Sequence, residues 1–237
     1  MGILAFKESK SPMAEAYRSI RTNIQFSNLD KEIKTILVTS SKQDEGKSTV
    51  ITNLSISFAQ LEGKKVLIMD SDLRNPSVHR MFSLTNTYGL TEILTGQKKL
   101  NEVLQKTEIK NLQVLTTGKM PPNPSEMLES KKMKEFVKIL EESYDYIFID
   151  SPPIGVITDA GILANYLDAT VLVVGSGETD IEMAKITKLK LEKVKANIIG
   201  VVLNKYVGED SAYGYYSYYY EQNDGSRKSR HKKKNKK

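Results

Sequence analysis

The part of this chain that most restricts its fold lies between residues 35 and 61. Thr35-Ile36-Leu37-Val38-Thr39 is a short, apolar, β-branched run, the pattern of a buried strand. A polar loop follows, Ser41-Lys42-Gln43-Asp44-Glu45, and then Gly46-Lys47-Ser48-Thr49 opens a helix predicted from about 47 to 61, with Gly63 beyond its end. Strand, loop and helix in this order match the pattern G-x-x-x-x-G-K-[ST], with Ser41 in place of the first glycine. In such a loop the backbone N–H groups and the helix N-terminus converge on phosphate oxygens. Lys47 is then the residue that neutralises the β/γ oxygens, and Ser48 carries a hydroxyl suited to Mg²⁺. Gly-Lys-Ser-Thr also occurs as a chance turn, so the rest of the chain has to decide between the two.

Two other strand-like runs end on acids. Residues 65–69 lead to Asp70-Ser71-Asp72, and residues 146–149 lead to Asp150. Further strands are predicted at 112–116, 170–174 and 198–203. The helices between them are expected at about 90–94, 100–106, from 125, through 140, and near 182–194. Ser11-Pro12 reads as N-cap and first helical residue of a helix to about Phe26. Strands alternating with helices predict an α/β fold with a mostly parallel sheet, and near-continuous apolar strands predict helices on both faces. Ligands of open parallel sheets bind beyond the carboxyl ends of the strands. Asp70, Asp72, Asp150 and the Gly46 loop all fall there. A single Asp after a strand is usually a turn residue or cap; three beside a phosphate loop favour a Mg-nucleotide site.

Composition narrows the alternatives. The chain has 237 residues, enough for one sizeable domain. Cysteine is absent and His79 and His231 are the only histidines, which excludes disulfides and Cys-based centres and disfavours a His metal cluster or a Ser–His–Asp triad. No run of about 18 apolar residues is present. The net charge is +6, but residues 227–237 hold eight Lys/Arg and no acid; +6 less eight leaves −2 for the rest. The basic balance therefore belongs to the tail, and no specific nucleic-acid binding is expected of the folded part. From about residue 208 the apolar pattern stops, so the expected division is a P-loop domain over 1–207 and a flexible tail over 208–237, first tyrosine-rich and then basic. A cytoplasmic location is expected.

Together these segments carry a specific resemblance. The P-loop, Leu67-Ile68-Met69-Asp70-Ser71-Asp72-Leu73-Arg74-Asn75-Pro76, Pro121-Pro122-Asn123-Pro124-Ser125-Glu126, and Phe148-Ile149-Asp150-Ser151-Pro152-Pro153 with Asp159-Ala160 resemble the bacterial tyrosine kinases of capsule and exopolysaccharide synthesis. These are relatives of the deviant Walker-A ATPases of division-site placement and DNA partition. The resemblance covers about residues 11–220. It implies ATP and Mg²⁺ as cofactors, with Ser41, Glu45, Gly46, Lys47, Ser48 and Thr49 forming the phosphate loop. It also implies Mg²⁺ held by Ser48, Asp72 and Asp150, and Asp70 as acceptor of the tyrosine proton. Asn204, after the last strand, is expected near the adenine base.

Glu15, Arg18 and Arg21 match the family's E-x-x-R-x-x-R pattern, which implies a homo-oligomeric ring; the residues by themselves would be read as a solvated helix face with a local ion pair. Tyr213, Tyr215, Tyr216, Tyr218, Tyr219 and Tyr220 are half of the 12 tyrosines in eight residues, and the resemblance implies autophosphorylation there in trans. It further implies a separate transmembrane activator and work at the inner face of the membrane, where the basic tail would suit anionic lipid.

One departure stands out. Family loops usually carry Pro-Gly where this chain has Gln43-Asp44, and Asp44 with Glu45 brings two acids to a phosphate site. Asp tolerates positive φ better than most residues. The acids either weaken nucleotide affinity or point to water. They leave room for a second reading, a nucleotide-switched ATPase that assembles on a membrane partner without significant kinase activity.

Overall fold

The computed structural model describes residues 11–27 and 32–207. The chain divides into a unit Met1–Tyr206 and a second unit Val207–Lys237, of which Val207 alone is described. The predicted tail, with its tyrosine cluster and basic end, lies outside the described residues.

The order of elements is α1 (Pro12–Phe26), β1 (Thr35–Ser40), α2 (Lys47–Ala59), β2 (Val66–Asp70), α3 (Val78–Met81), α4 (Leu90–Leu94), α5 (Leu100–Val103), β3 (Gln105–Lys106), β4 (Leu112–Leu115), α6 (Pro124–Glu129), α7 (Lys131–Ser143), β5 (Tyr146–Asp150), α8 (Asp159–Ala164), β6 (Ala169–Gly175), α9 (Ile181–Lys193) and β7 (Ile198–Asn204). Among the described residues seven strands form one sheet in the order β3-β4-β2-β5-β1-β6-β7. Every neighbouring pair is parallel except β3 with β4.

Helices cover both faces, as the apolar strands require. Period-two alternation sends Leu37, Leu67, Met69, Ile147 and Ile149 into one core, with Leu128, Phe136, Leu140 and Leu191 from α6, α7 and α9. Ile36, Val38, Val66, Ile68 and Phe148 enter the other, with Tyr17 and Ile24 from α1 and Val50, Ile51 and Leu54 from α2. Ser11 caps α1 as its sequence implied, accepting from Ala14 N at 3.2 Å, with Pro12 in the first turn.

The expected helix over 100–106 is corrected. It stops at Val103, because Leu104 turns to extended backbone (ψ 124°) and Gln105–Lys106 pair antiparallel with β4. The Gln105 side chain also donates to Thr85 O (2.8 Å), fixing this edge. The short helices α3 and α8, of four and six residues, have no counterpart in the sequence reading.

Candidate active site

Sheet register brings the acids together. Asp70 is paired directly with Asp150 across β2 and β5, and Asp150 is paired with Val38 on β1, the strand that feeds the phosphate loop. Both carboxylates thus sit at strand ends beside the loop that returns with Lys47. Lys47 Nζ donates to Asp150 Oδ1 at 2.5 Å, and this ion pair is almost wholly buried.

Asp70 is fully buried and held by backbone: its Oδ2 accepts from Ser77 N and Val78 N (3.1 Å each) and its Oδ1 from Asp72 N at 3.1 Å. Burial, then the charge of Asp150, pushes its pKa up to about 8, against the pull of the Val78 N–H and Lys47. Asp72 is buried too, accepts from Asn75 N at 3.0 Å, and is raised by desolvation. Among the described residues, the buried Asp150 Oδ2 has no hydrogen-bond partner.

The phosphate loop has the geometry that anion binding needs. Gly46 caps α2 in the left-handed region (φ 82°) and has no side chain with which to occupy the first-turn N–H groups. The free N–H groups of its first turn are therefore available to an anion. The left-handed φ favours glycine at 46, and a Cβ there would in addition make the Asn204 amide move aside. Asp44 takes φ 63° and is exposed, and so tolerates the conformation for which glycine is usual.

Glu45 does not face the pocket. It is buried, and Oε2 accepts from Ser41 N (2.6 Å) and Lys42 N (2.9 Å), while Oε1 accepts from Gly175 N (3.2 Å) and from the Thr179 hydroxyl. The expected turn toward water is corrected for Glu45, whose side chain points into protein instead. Ser48 Oγ lies 2.6 Å from Ser77 Oγ. Asn204 Nδ2 donates to Glu45 O at 2.8 Å, which seats it over the loop. Lys42 Nζ reaches Glu178 O (2.5 Å).

Ser41, Glu45, Gly46, Lys47, Ser48, Thr49, Asp70, Asp72, Asp150 and Asn204 all lie on the phosphate loop or at the neighbouring carboxyl ends of strands β2, β5 and β7. Glu15, Arg18 and Arg21 do not join them. Arg18 pairs with Glu15 (Nε to Oε2, 2.6 Å), and Arg21 donates to Ser57 O near the end of α2 (2.5 Å).

Sequence reasoning missed Ser77, whose place in Asn75-Pro76-Ser77 marks a turn but not a target. It also missed the role of Asp159, which is buried and accepts from Arg74 Nε (3.0 Å) and Ser125 Oγ (2.5 Å), joining the loop after β2 to α6 and α8.

Comparison with known proteins decides among the P-loop families. The AAA domain family model matches residues 33–196. Over 215 residues the chain is 45% identical to the tyrosine-protein kinase YwqD of Bacillus subtilis (strain 168), covering 90% of each. The chain belongs to the bacterial tyrosine-kinase family. The tyrosine-protein kinase CpsD of Streptococcus agalactiae is 38% identical over 206 residues, 86% of this chain and 89% of that one.

Among solved structures, the chimerical protein CapA2B2 superposes with a TM-score of 0.84 at 36% identity, covering 87% of this chain and 90% of that one. The septum site-determining protein MinD of Pyrococcus horikoshii, solved with Mg-ADP, superposes with a TM-score of 0.61 at 27% identity, covering 73% and 71%. The fold expected from the sequence, a P-loop α/β sheet, is the fold of these relatives. Among the described residues no helix is long and apolar enough to cross a membrane.

Proposed function

We propose that this chain is an ATP-dependent protein-tyrosine kinase that phosphorylates the tyrosine cluster of a neighbouring copy and regulates capsular or exopolysaccharide synthesis. The observation that carries the reading is the buried Lys47–Asp150 pair at the mouth of an uncapped phosphate loop, with Asp70 and Asp72 alongside. Kinship with enzymes named tyrosine-protein kinase supports the choice of acceptor.

The residues fit a magnesium nucleotide. The donor set is all oxygen, as a hard cation prefers, and among the described residues the buried Asp150 Oδ2 has no partner of its own. Ser48, Asp72 and Asp150 would hold Mg²⁺, whose chemistry is to neutralise charge on the phosphate oxygens.

In this mechanism the first-turn amides of α2 and Lys47 cradle the phosphates, and Lys47 exchanges its bond to Asp150 for phosphate oxygen. The tyrosine hydroxyl attacks the terminal phosphorus, the bond to the bridging oxygen breaks, and ADP leaves. Asp70 takes the phenolic proton. Burial and the charge of Asp150 hold the Asp70 carboxyl above the ordinary carboxylate range, toward the basicity that a proton acceptor needs. Positioning and charge neutralisation supply most of the acceleration.

Glu15, Arg18 and Arg21 form the ring contact in this reading. A separate transmembrane activator brings the chain to the inner face of the membrane, where the basic residues 227–237 meet anionic lipid. Asn204 borders the base.

Incubation of the chain and its activator's cytoplasmic segment with Mg-ATP, followed by mass spectrometry, tests this. Phosphate is expected among Tyr213–Tyr220 and not on Tyr17, which is buried with its pKa pushed up to about 12. Lys47→Met and Asp70→Ala should abolish it. Released inorganic phosphate with unmodified tyrosines would instead establish a nucleotide-switched ATPase.

A further inference from the structure

The acidic approach to the phosphate loop presents a problem that the nucleotide reading leaves open. A carboxylate next to a phosphate-binding glycine ought to repel its ligand. Glu45 escapes this by direction. Its side chain turns from the pocket into protein and is 1% exposed.

There it collects four donors from two segments. Ser41 N and Lys42 N come from the start of the loop, and Gly175 N and the Thr179 hydroxyl come from the turn between β6 and α9. The backbone of Glu45 is fixed as well, since its carbonyl accepts from Asn204 Nδ2 at the end of β7 (2.8 Å). A second pair of contacts runs alongside. Lys42 Nζ donates to Glu178 O, and both Glu178 oxygens accept from Lys205 Nζ (2.9 and 2.8 Å).

We propose that Glu45, with Thr179 as its partner, is a positioning residue for nucleotide binding: it keeps the phosphate loop in its phosphate-ready shape by tying it to the β6–α9 turn. The inference rests on the nucleotide reading above and assigns this side chain a part in it. Two amides at the start of the loop are spent on Glu45, so they cannot compete for the phosphate, and those of the α2 first turn remain for it. Holding the loop in one conformation before the ligand arrives removes an ordering cost from binding. The same carboxylate makes the turn after β6 part of the nucleotide site, although no residue of that turn carries a phosphate-binding pattern.

The chemistry selects the test. Glutamine has the shape of glutamate but places an NH₂ where N–H groups already point. Whichever way its amide lies, a backbone donor loses its acceptor. Thr179→Val removes one donor and keeps the volume, and Thr179→Ser restores the hydroxyl.

Full-length wild type, Glu45→Gln, Thr179→Val and Thr179→Ser are to be titrated with Mg-ATP by calorimetry. Amide hydrogen exchange is followed over residues 41–46 without nucleotide, and the KM for ATP and kcat are measured separately. Glu45→Gln is expected to weaken Mg-ATP by about tenfold or more, the equivalent of one or two hydrogen bonds. Exchange at 41–46 should rise while that of β1 and β5 holds. KM should rise with kcat at saturating ATP little changed, and Thr179→Ser should behave as wild type where Thr179→Val does not.

A Glu45→Gln protein with wild-type affinity, whatever its exchange, overturns the proposal, as does a loss confined to kcat. If wild type itself takes up no Mg-ATP, the nucleotide reading falls and this inference falls with it. Wild-type binding with an unaffected Glu45→Gln sinks the inference alone.

Discussion

Replacing Asp70 by asparagine should change how stability depends on pH more than it changes stability at any one pH. Asp70 is fully buried, and its pKa is pushed up to about 8 by desolvation and by the neighbouring charge of Asp150. In the unfolded chain it titrates near 3.9. Between those values the native state holds one proton that the unfolded state has released. Stability therefore falls as pH rises, by about 1.4 kcal/mol per pH unit. The stabilising contribution of the protonated acid is complete below the unfolded pKa and lost as pH passes through about 8. From pH 5 to pH 8 the loss amounts to about 4 kcal/mol for wild type. Asparagine has no proton to lose, so Asp70→Asn should lack this component. Its amide would set an NH₂ against one of the N–H donors from Asp72, Ser77 or Val78, a penalty of about 1–3 kcal/mol that is the same at every pH. The variant should thus be less stable than wild type at pH 5 and match or exceed it at pH 9. Urea denaturation of the nucleotide-free, metal-free protein at each pH unit from 5 to 9 measures both curves. Parallel curves would mean that Asp70 is ionised throughout, and the burial argument would be refuted.

Two further outcomes are expected. Gly46→Ala meets both a left-handed φ of 82° and the Asn204 amide, so Mg-ATP binding should be lost and denaturant stability should fall by about 1–3 kcal/mol; normal binding by this variant would show that the loop is free to rearrange. Asp159→Ala strips Arg74 and Ser125 of a buried shared acceptor, so stability should fall by about 1–3 kcal/mol in urea denaturation, and tyrosine phosphorylation should slow because the loop carrying Asp72 loses its anchor.

The sheet was legible because each central strand is buried on both faces and so reads as an unbroken apolar run, Ile36 to Val38 or Ile147 to Ile149. The acids at the ends of those runs were legible as a set for the same reason. What the chain order concealed is adjacency. β5 inserts between β1 and β2, and only that insertion makes Asp70 the direct partner of Asp150, although 80 positions separate them in sequence. The direction of a loop side chain was equally hidden. Glu45 reads as a charge near a phosphate until Gly175 and Thr179, 130 or more residues away, are seen to face it. β3 was hidden for a simpler reason: it has two residues, too few for any period to show.

Charge balance connects the pH argument to the chemistry of the site. Three buried carboxyl groups, Asp70, Asp72 and Asp150, lie at the carboxyl ends of the neighbouring strands β2 and β5, and Lys47 is bonded to Asp150 alone. At an effective dielectric constant of about 20, two like charges 4 Å apart repel by about 4 kcal/mol. One lysine cannot hold three ionised acids against that, and the proton on Asp70 is the least costly relief, because Asp70 is the acid with no exposure and no cation bonded to it. A polyphosphate brought alone into this site would add negative charge to an excess already present. Among the described residues Asp150 Oδ2 has no hydrogen-bond partner, so this oxygen can accept added positive charge. Positive charge held at Asp150 would offset the repulsion that raises Asp70 and so favour the basic form of Asp70, the form that can take up a tyrosine proton.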